Sequence, residues 1–355
     1  METVSRAAFA ILLGLSALSP HLHAAEPDTC EGVRFSDVGW TDITATTATA
    51  TVLLKALGYR PDTRVLSVPV TYTSLKNKDI DVFLGNWMPT MEADIKPYRE
   101  DGSVDTVVRN LAGAKYTLAT NAYGAELGIR NFADIARFSK ELDSKIYGIE
   151  PGNDGNRLIQ GMIDANQFDL KAFRVVESSE QGMLAQVARA DRKQEPVVFL
   201  GWEPHPMNSN YQLTYLEGGD EVFGPDLGGA EIFTNTRAGF VTECPNVGQL
   251  LKNLVFSLKM ENEIMGAILD DEQKPEAAAT AWIKANPAVL ADWLKDVSTR
   301  DDKPGLEAVM AGLEIPALKD AETEATGNAP EKAPEGMKKP DQKQEQEQQA
   351  EQPAS

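Results

Sequence analysis

Three tryptophans in this chain each follow a glycine within two residues: Trp40 in VGWTD, Trp87 in DVFLGNWMP and Trp202 in VVFLGWEPH. The last two runs lie about 115 residues apart, and both end a short apolar stretch in glycine, tryptophan and then proline two residues on. Asp42 stands two residues after Trp40. Indole faces beside a carboxylate have two common uses. They stack on sugar rings, or they surround a quaternary ammonium, whose charged end offers no N–H donor and must be held by ring quadrupoles. The bland alternatives are three core tryptophans and an N-cap role for Asp42 ahead of TATTATATVLLKALG. One Gly-Trp pair would favour the core; three at strand exits favour a ligand cleft, with Trp282 and Trp293 left to helix cores.

Other chemistries lack their residues. The chain holds His21, His23 and His205 and no others. The first two fall in a segment expected to be removed, so a histidine triad or multi-histidine metal site is out of reach, and no cofactor is expected. No G-x-x-x-x-G-K-[ST] loop is present, so the chain is not itself an ATPase of that class. A secreted carbohydrate-active protein would need a pair of facing carboxylates, which the sequence does not single out.

The elements that must position these residues alternate. Candidate strands cover 63–70, 79–85, 145–150, 173–177 and 196–201, and candidate helices cover 42–57, 131–142, 156–166, 180–190, 246–259, 276–285 and 288–296. That alternation predicts an α/β fold with largely parallel sheets, in which ligands collect beyond the strand ends or in a cleft between domains. The tryptophans are expected one or two residues past buried strands, where a flexible glycine lets the backbone turn.

Residues 1–25 read as a signal peptide: Arg6, then AAFAILLGLSAL, then small residues at HLHAAEP. A bilayer-spanning helix would need about 20 apolar residues, which this stretch lacks. Export brings Cys30 and Cys244, the only two cysteines, into an oxidising compartment, where a disulfide is expected over two buried thiols. From Asp320 to Ser355 there are nine acidic and four basic residues among Pro, Gln, Glu and Ala. Such a segment buries too little to order itself, so 319–355 reads as a disordered tail. The whole chain carries a formal charge of -20, which disfavours nucleic acid and attracts a cationic solute.

The stretches VGWTD, FLGNWMP, AKYTLAT (114–120), IEPGNDGN (149–156) and FLGWEPHPM (199–207) together resemble the periplasmic choline-binding proteins of ABC importers, within the glycine betaine and choline family of substrate-binding proteins. The resemblance covers about Cys30 to Leu313. It implies a two-lobed periplasmic binding protein fold with a hinge and a cleft: lobe 1 from 26–113 and 220–318, lobe 2 from 114–219. It implies choline as ligand, with glycine betaine or carnitine as alternatives, and a non-enzymatic monomer serving a permease with a separate ATPase. It makes Trp40, Trp87, Tyr116 and Trp202 the walls of an aromatic box, Asp42 the acidic partner and Asn153 the hydrogen-bond partner of the ligand hydroxyl, and it supports a Cys30–Cys244 bridge. Without it, Tyr116 reads as a half-buried strand residue and Asn153 as a turn or cap residue. Glu203 and His205 read as local structure.

Overall fold

The run TDITATTATATVLLKA becomes helix α1, Thr41–Ala56, and 13 of its residues are buried. Its small Ala and Thr side chains suit a helix covered on both sides, by the sheet on one and by α7 (Leu258–Leu269) and α8 (Pro275–Ala285) on the other. Buried threonines satisfy themselves on the preceding turn: Thr49 Oγ1 donates to the Ala45 carbonyl at 2.9 Å and Thr46 Oγ1 to that of Asp42 at 3.1 Å.

The computed structural model describes residues 26–316; the expected signal peptide and the whole expected tail, 319–355, lie outside them. Nine strands form one sheet: β1 Gly32–Asp37, β2 Arg60–Val65, β3 Val82–Met88, β4 Val104–Asn121, β5 Lys145–Tyr147, β6 Arg174–Val176, β7 Val198–Glu203, β8 Leu213–Tyr215 and β9 Gly229–Arg237. Their order is β2-β1-β3-β9-β4-β7-β5-β6, with β8 beside β4. The further helices used below are α2 Val68–Lys76, α3 Glu92–Glu100, α4 Asp154–Asp164, α5 Glu180–Lys193 and α6 Pro245–Asn253. No described helix is long and apolar enough to cross a membrane.

The 18-residue β4 joins the two halves of the sheet. It pairs with β9 from Val104 to Lys115 and with β7 from Lys115 to Thr120. Its register with β9 shifts between Leu111 and Ala114, around Gly113 at φ +79°, a backbone setting that glycine adopts at little cost. On the β1–β3–β9 side, buried Asp81 accepts from the Arg34 guanidinium at 2.7 and 2.8 Å and from Arg237 Nε at 2.7 Å, tying three strands together.

Several expectations need correction. The sheet is mixed rather than largely parallel: the β1 and β5 pairings are parallel, whereas β3–β9, β4–β7, β4–β8 and β4–β9 are antiparallel. The alternating pattern misses this because β4 and β9 pass between halves instead of returning through a crossover helix. The run 63–70 is a strand only to Val65; Val68 opens α2, where Pro69 sits in the first turn and its missing N–H costs nothing. The helix expected over 246–259 breaks after Asn253, and Ser257 caps a new helix by accepting from the Met260 N–H at 3.2 Å. Residues 132–138 are a 3-10 helix closed by an Asn131–Asp134 capping box.

Cys30 and Cys244 are bonded, with Cα atoms 5.6 Å apart across a separation of 214 residues. The bridge fastens the start of β1 to the N-cap of α6, so the early and late segments share one body. Loop-closure entropy alone assigns such a bridge at most about 5 kcal/mol. We expect Cys30→Ser/Cys244→Ser to lower the guanidinium midpoint clearly while leaving the far-UV spectrum native. An unchanged midpoint would mean that packing already supplies the constraint.

Candidate functional site

The site begins at the turn before α1. Asp37 Oδ1 accepts from the Gly39 N–H at 2.7 Å while Gly39 adopts φ +83°, and this tight turn leaves Trp40 extended at the N-cap position. Here the glycine provides a turn, as expected. At the other two tryptophans it does not. Trp87 lies inside β3 and Trp202 inside β7, because both strands continue past the glycine to complete their pairings. A Cβ on Gly85 would meet Ile43 Cδ1 at 2.6 Å, and one on Gly201 would meet Ala119 Cβ at 2.8 Å, so these glycines serve close packing. Each of the two runs ends in a cis X–Pro bond, at Met88–Pro89 and Glu203–Pro204.

Pairing then sets the walls. Tyr116 on β4 lies directly opposite Trp202 on β7, their rings 6.4 Å apart at 71°. Trp87 pairs with Ile232 of β9, and its ring lies 5.9 Å from that of Tyr116 at 58°. Trp40, Asp42, Trp87, Tyr116, Ile149, Asp154 and Trp202 line one small cavity. All four aromatic walls are at most 6% exposed.

The polar edges of three of these rings are already engaged. Trp87 Nε1 donates to Asp42 Oδ2 at 3.0 Å, Trp40 Nε1 to Glu150 Oε1 at 3.0 Å, and the Tyr116 hydroxyl to Asn153 Oδ1 at 3.0 Å. Asp42 is therefore not the N-cap of α1; it sits in the first turn and holds the Trp87 ring. Its other oxygen, Oδ1, is buried without a protein partner, and so is Asp154 Oδ2. Asn153 caps α4 by accepting from the Asn156 N–H at 3.1 Å, and its amide nitrogen reaches Asp154 Oδ1 at 3.2 Å. It braces Tyr116 and Asp154 and is not among the residues lining the cavity.

Among the lining residues there are two carboxylates and no Lys, Arg or His. Burial, reinforced by the negative charge of Glu180, pushes the Asp42 carboxyl up to about 8. Burial likewise raises Glu150 to about 7 and Asp154 to about 6. The cavity therefore lacks positive charge and has an oxygen on each side with nothing to bond. No group of side chains among the described residues has the makings of a metal site.

Sequence reasoning singled out Trp40, Asp42, Trp87 and Trp202, and the resemblance added Tyr116; the structure brings all five to this cavity. It missed Asp154 and Ile149 as lining residues, although both stand in the IEPGNDGN stretch. It also missed Glu180, which reads only as the start of a helix. Glu203 is local, as expected, paired with Lys115 at 3.1 Å, whereas His205 is buried behind Trp202 with ring centroids 5.1 Å apart.

The family model described as the substrate binding domain of ABC-type glycine betaine transport system, OpuAC, matches residues 31–285. The chain belongs to this family. A solved structure described as an ABC-transporter choline binding protein in complex with choline is 72% identical, covers 81% of this chain and all of its own, and superposes with a TM-score of 0.80. Lactococcal OpuAC, solved closed with glycine betaine, is 26% identical over 74% of this chain and 99% of its own, with a TM-score of 0.67. The glycine betaine/carnitine transport binding protein GbuC of Listeria monocytogenes is 28% identical over 162 residues, 46% of this chain and 53% of that protein. The fold is thus the two-lobed α/β architecture of the OpuAC family, a non-enzymatic class of binding proteins.

The buried carboxyl has a consequence for stability. Asp42 ionises at about 8 in the folded chain against 3.8 as its ordinary value, so the ligand-free fold binds more protons than the unfolded chain between those limits. Stability therefore falls as pH rises through that window, by at most about 1.4 kcal/mol per unit. Asp42→Asn should raise the ligand-free melting temperature at pH 8 and coincide with wild type near pH 4. A variant that melts lower at pH 8 would show that the ionised carboxylate is not a liability.

Proposed function

We propose that this chain is the extracytoplasmic substrate-binding protein of an ABC importer and that its ligand is choline. The observation that carries this reading is the cavity itself: four aromatic walls, three of them with their polar edges taken, a buried Asp42 oxygen with no partner, and no basic side chain in the lining. A trimethylammonium group fits that chemistry because its charge is spread over methyl groups that ring faces attract and that need no acceptor. Glycine betaine and carnitine carry the same cation with a carboxylate attached. In this cavity that carboxylate would face Asp42 and Asp154 without a cation to receive it. The choline hydroxyl can instead donate to an unpaired carboxylate oxygen.

In this reading residues 26–113 and 220–318 form one lobe and residues 114–219 the other. Trp40, Asp42 and Trp87 then close against Tyr116, Asp154 and Trp202, and the ligand favours the closed state because only closure brings both sets of walls onto one cation. The expected strength is moderate. Four desolvated cation–π contacts contribute roughly 2–8 kcal/mol before costs. A ligand of about seven non-hydrogen atoms is limited to roughly -10 kcal/mol, a ceiling of about 50 nM, so micromolar affinity is within reach and picomolar affinity is not. A monomer delivering choline to a permease and separate ATPase, in the periplasm, completes the proposal.

Calorimetric titration of protein freed of copurified ligand, with choline, glycine betaine, carnitine and a sugar, tests it. Choline should bind most tightly, and Trp87→Ala or Trp202→Ala should each weaken it by about 10- to 30-fold. Asp42→Asn should narrow the choline-to-betaine ratio. Heat from the sugar and none from choline would mean that the walls are a stacking platform instead.

Proton linkage supplies a second check. A cation needs the Asp42 carboxylate ionised, so affinity for choline should rise between pH 6 and 8 by up to about tenfold per unit and level off above. Binding at pH 7 should release a proton, measurable from titrations in buffers of different ionisation heat. Affinity that does not change from pH 6 to 9 would remove Asp42 as the ionisable partner.

A further inference from the structure

The first residue of α1 is held from the other half of the molecule. Glu180, the first residue of α5, reaches Thr41: its Oε2 accepts from the Thr41 N–H at 2.9 Å and its Oε1 accepts from the Thr41 hydroxyl. The Glu180 side chain is fully buried, and His205 Nε2 lies 3.3 Å from Oε1. His205 Nδ1 accepts from the Met207 N–H at 3.0 Å, which leaves the proton on Nε2 and makes it the donor to Glu180. The carboxylate thus has three donors, two of them from Thr41.

Two features separate this contact from ordinary helix capping. Helix α1 has no cap of its own, since Trp40 at the N-cap position has no side-chain hydrogen bond to the first turn. Helix α5, by contrast, is capped independently by Ser179, whose Oγ accepts from the Gly182 N–H at 3.1 Å. Glu180 is therefore not needed by its own helix. It completes the neighbour's, where backbone N–H groups and the helix dipole both favour an anion.

The residue it grips lies between Trp40 and Asp42, two of the cavity's lining residues. On the far side, His205 packs edge-on against Trp202 at 5.1 Å. A continuous chain of contacts therefore runs behind the cavity from one wall to the opposite one: Trp202, His205, Glu180, Thr41.

We propose that Glu180 is a positioning residue that latches the closed cleft, capping α1 from the opposite lobe and so lengthening the residence time of the bound ligand. Opening the cleft takes both Thr41 donors away from a carboxylate that has no access to water while buried, so the latch acts on the closed state alone. It contributes after the encounter with ligand, and its loss appears in dissociation rather than association. The inference rests on the cleft-binding reading above.

Stopped-flow tryptophan fluorescence with choline, on wild type, Glu180→Ala, Glu180→Gln, Thr41→Val and the double variant Glu180→Ala/Thr41→Val, tests it. We expect Glu180→Ala to raise the dissociation rate by about tenfold or more with association changed less than about threefold. Glu180→Gln, which retains an acceptor oxygen, should recover part of the loss. Thr41→Val should raise the dissociation rate a few-fold, and the double variant should match Glu180→Ala alone, since both remove one interaction. Wild-type dissociation rates in both Glu180→Ala and Thr41→Val, or effects that multiply in the double variant, overturn the latch. Should Glu180→Ala fail to fold, Thr41→Val and Glu180→Gln decide by the same criterion. If wild type gives no choline signal, the ligand reading fails and X-ray scattering of ligand-free protein at pH 6, where a protonated Asp42 removes the charge that opposes closure, judges the latch: a larger radius of gyration in Glu180→Ala or Thr41→Val supports it, and equal radii overturn it.

Discussion

The closed cavity depends on a carboxylate that has nothing to pair with. Asp42 is 2% exposed, spends one oxygen on the Trp87 indole and leaves the other empty, with the charge of Glu180 nearby. Leaving an ionised group buried and unpaired costs several kcal/mol. In the absence of a cation, the chain can relieve that cost in two ways: by protonating Asp42 or by opening the cleft to water. A cation in the box removes the need for either. The ligand's charge is thus the condition under which the closed arrangement is favourable, which is what a delivery protein needs if its closed form is to signal that cargo is aboard.

The sheet is built to let that condition act. Strand β4 is paired with β9 along its first part and with β7 along its second, so the two lobes share a strand instead of being joined by a loose linker. Tyr116 falls just past the changeover at Lys115, directly opposite Trp202. The box wall on one lobe is therefore seated at the root of the connection, while Trp40 and Asp42 ride on the N-terminus of α1, held against the other face of the sheet by α7 and α8. The Cys30–Cys244 bond ties the early and late segments together on the β1 side of this connection.

How much of this was legible in the sequence differs by residue. The tryptophans stood out because glycine-tryptophan after a buried run is an uncommon local pattern, yet the reason assigned to the glycines was right only at Gly39. At Gly85 and Gly201 the requirement is space for Ile43 and Ala119, residues 42 and 82 positions away in sequence, and no local pattern encodes such a contact. Tyr116 emerged only through resemblance, because a strand tyrosine looks the same whether it faces a core or a cavity. Asp154 gave no local signal, since its unpartnered oxygen is a property of its surroundings. Glu180 left no trace: its partner Thr41 is 139 residues away, and an acid at a helix start has an adequate local explanation. The mixed sheet escaped for a related reason, as strand direction depends on which half a strand enters.

The same arrangement bears on which cations the proposed box would accept. The Trp40 and Trp87 N–H groups and the Tyr116 hydroxyl donate to Glu150, Asp42 and Asn153, so these rings' polar edges are committed to the protein. A hydrated sodium ion or a primary ammonium entering this space would have to give up water or N–H hydrogen bonds and would find ring faces in return, with at most two carboxylate oxygens free to replace them. A quaternary ammonium has no such hydrogen bonds to lose, since its methyl groups are weakly hydrated, and it exchanges little for a full set of quadrupole contacts. Selectivity against small cations thus comes from what the walls withhold. In the proposed reading, selectivity against zwitterions would come from the two acids. Both follow from burying aromatic side chains edge-first onto carboxylates, the arrangement that also makes the empty site costly to close.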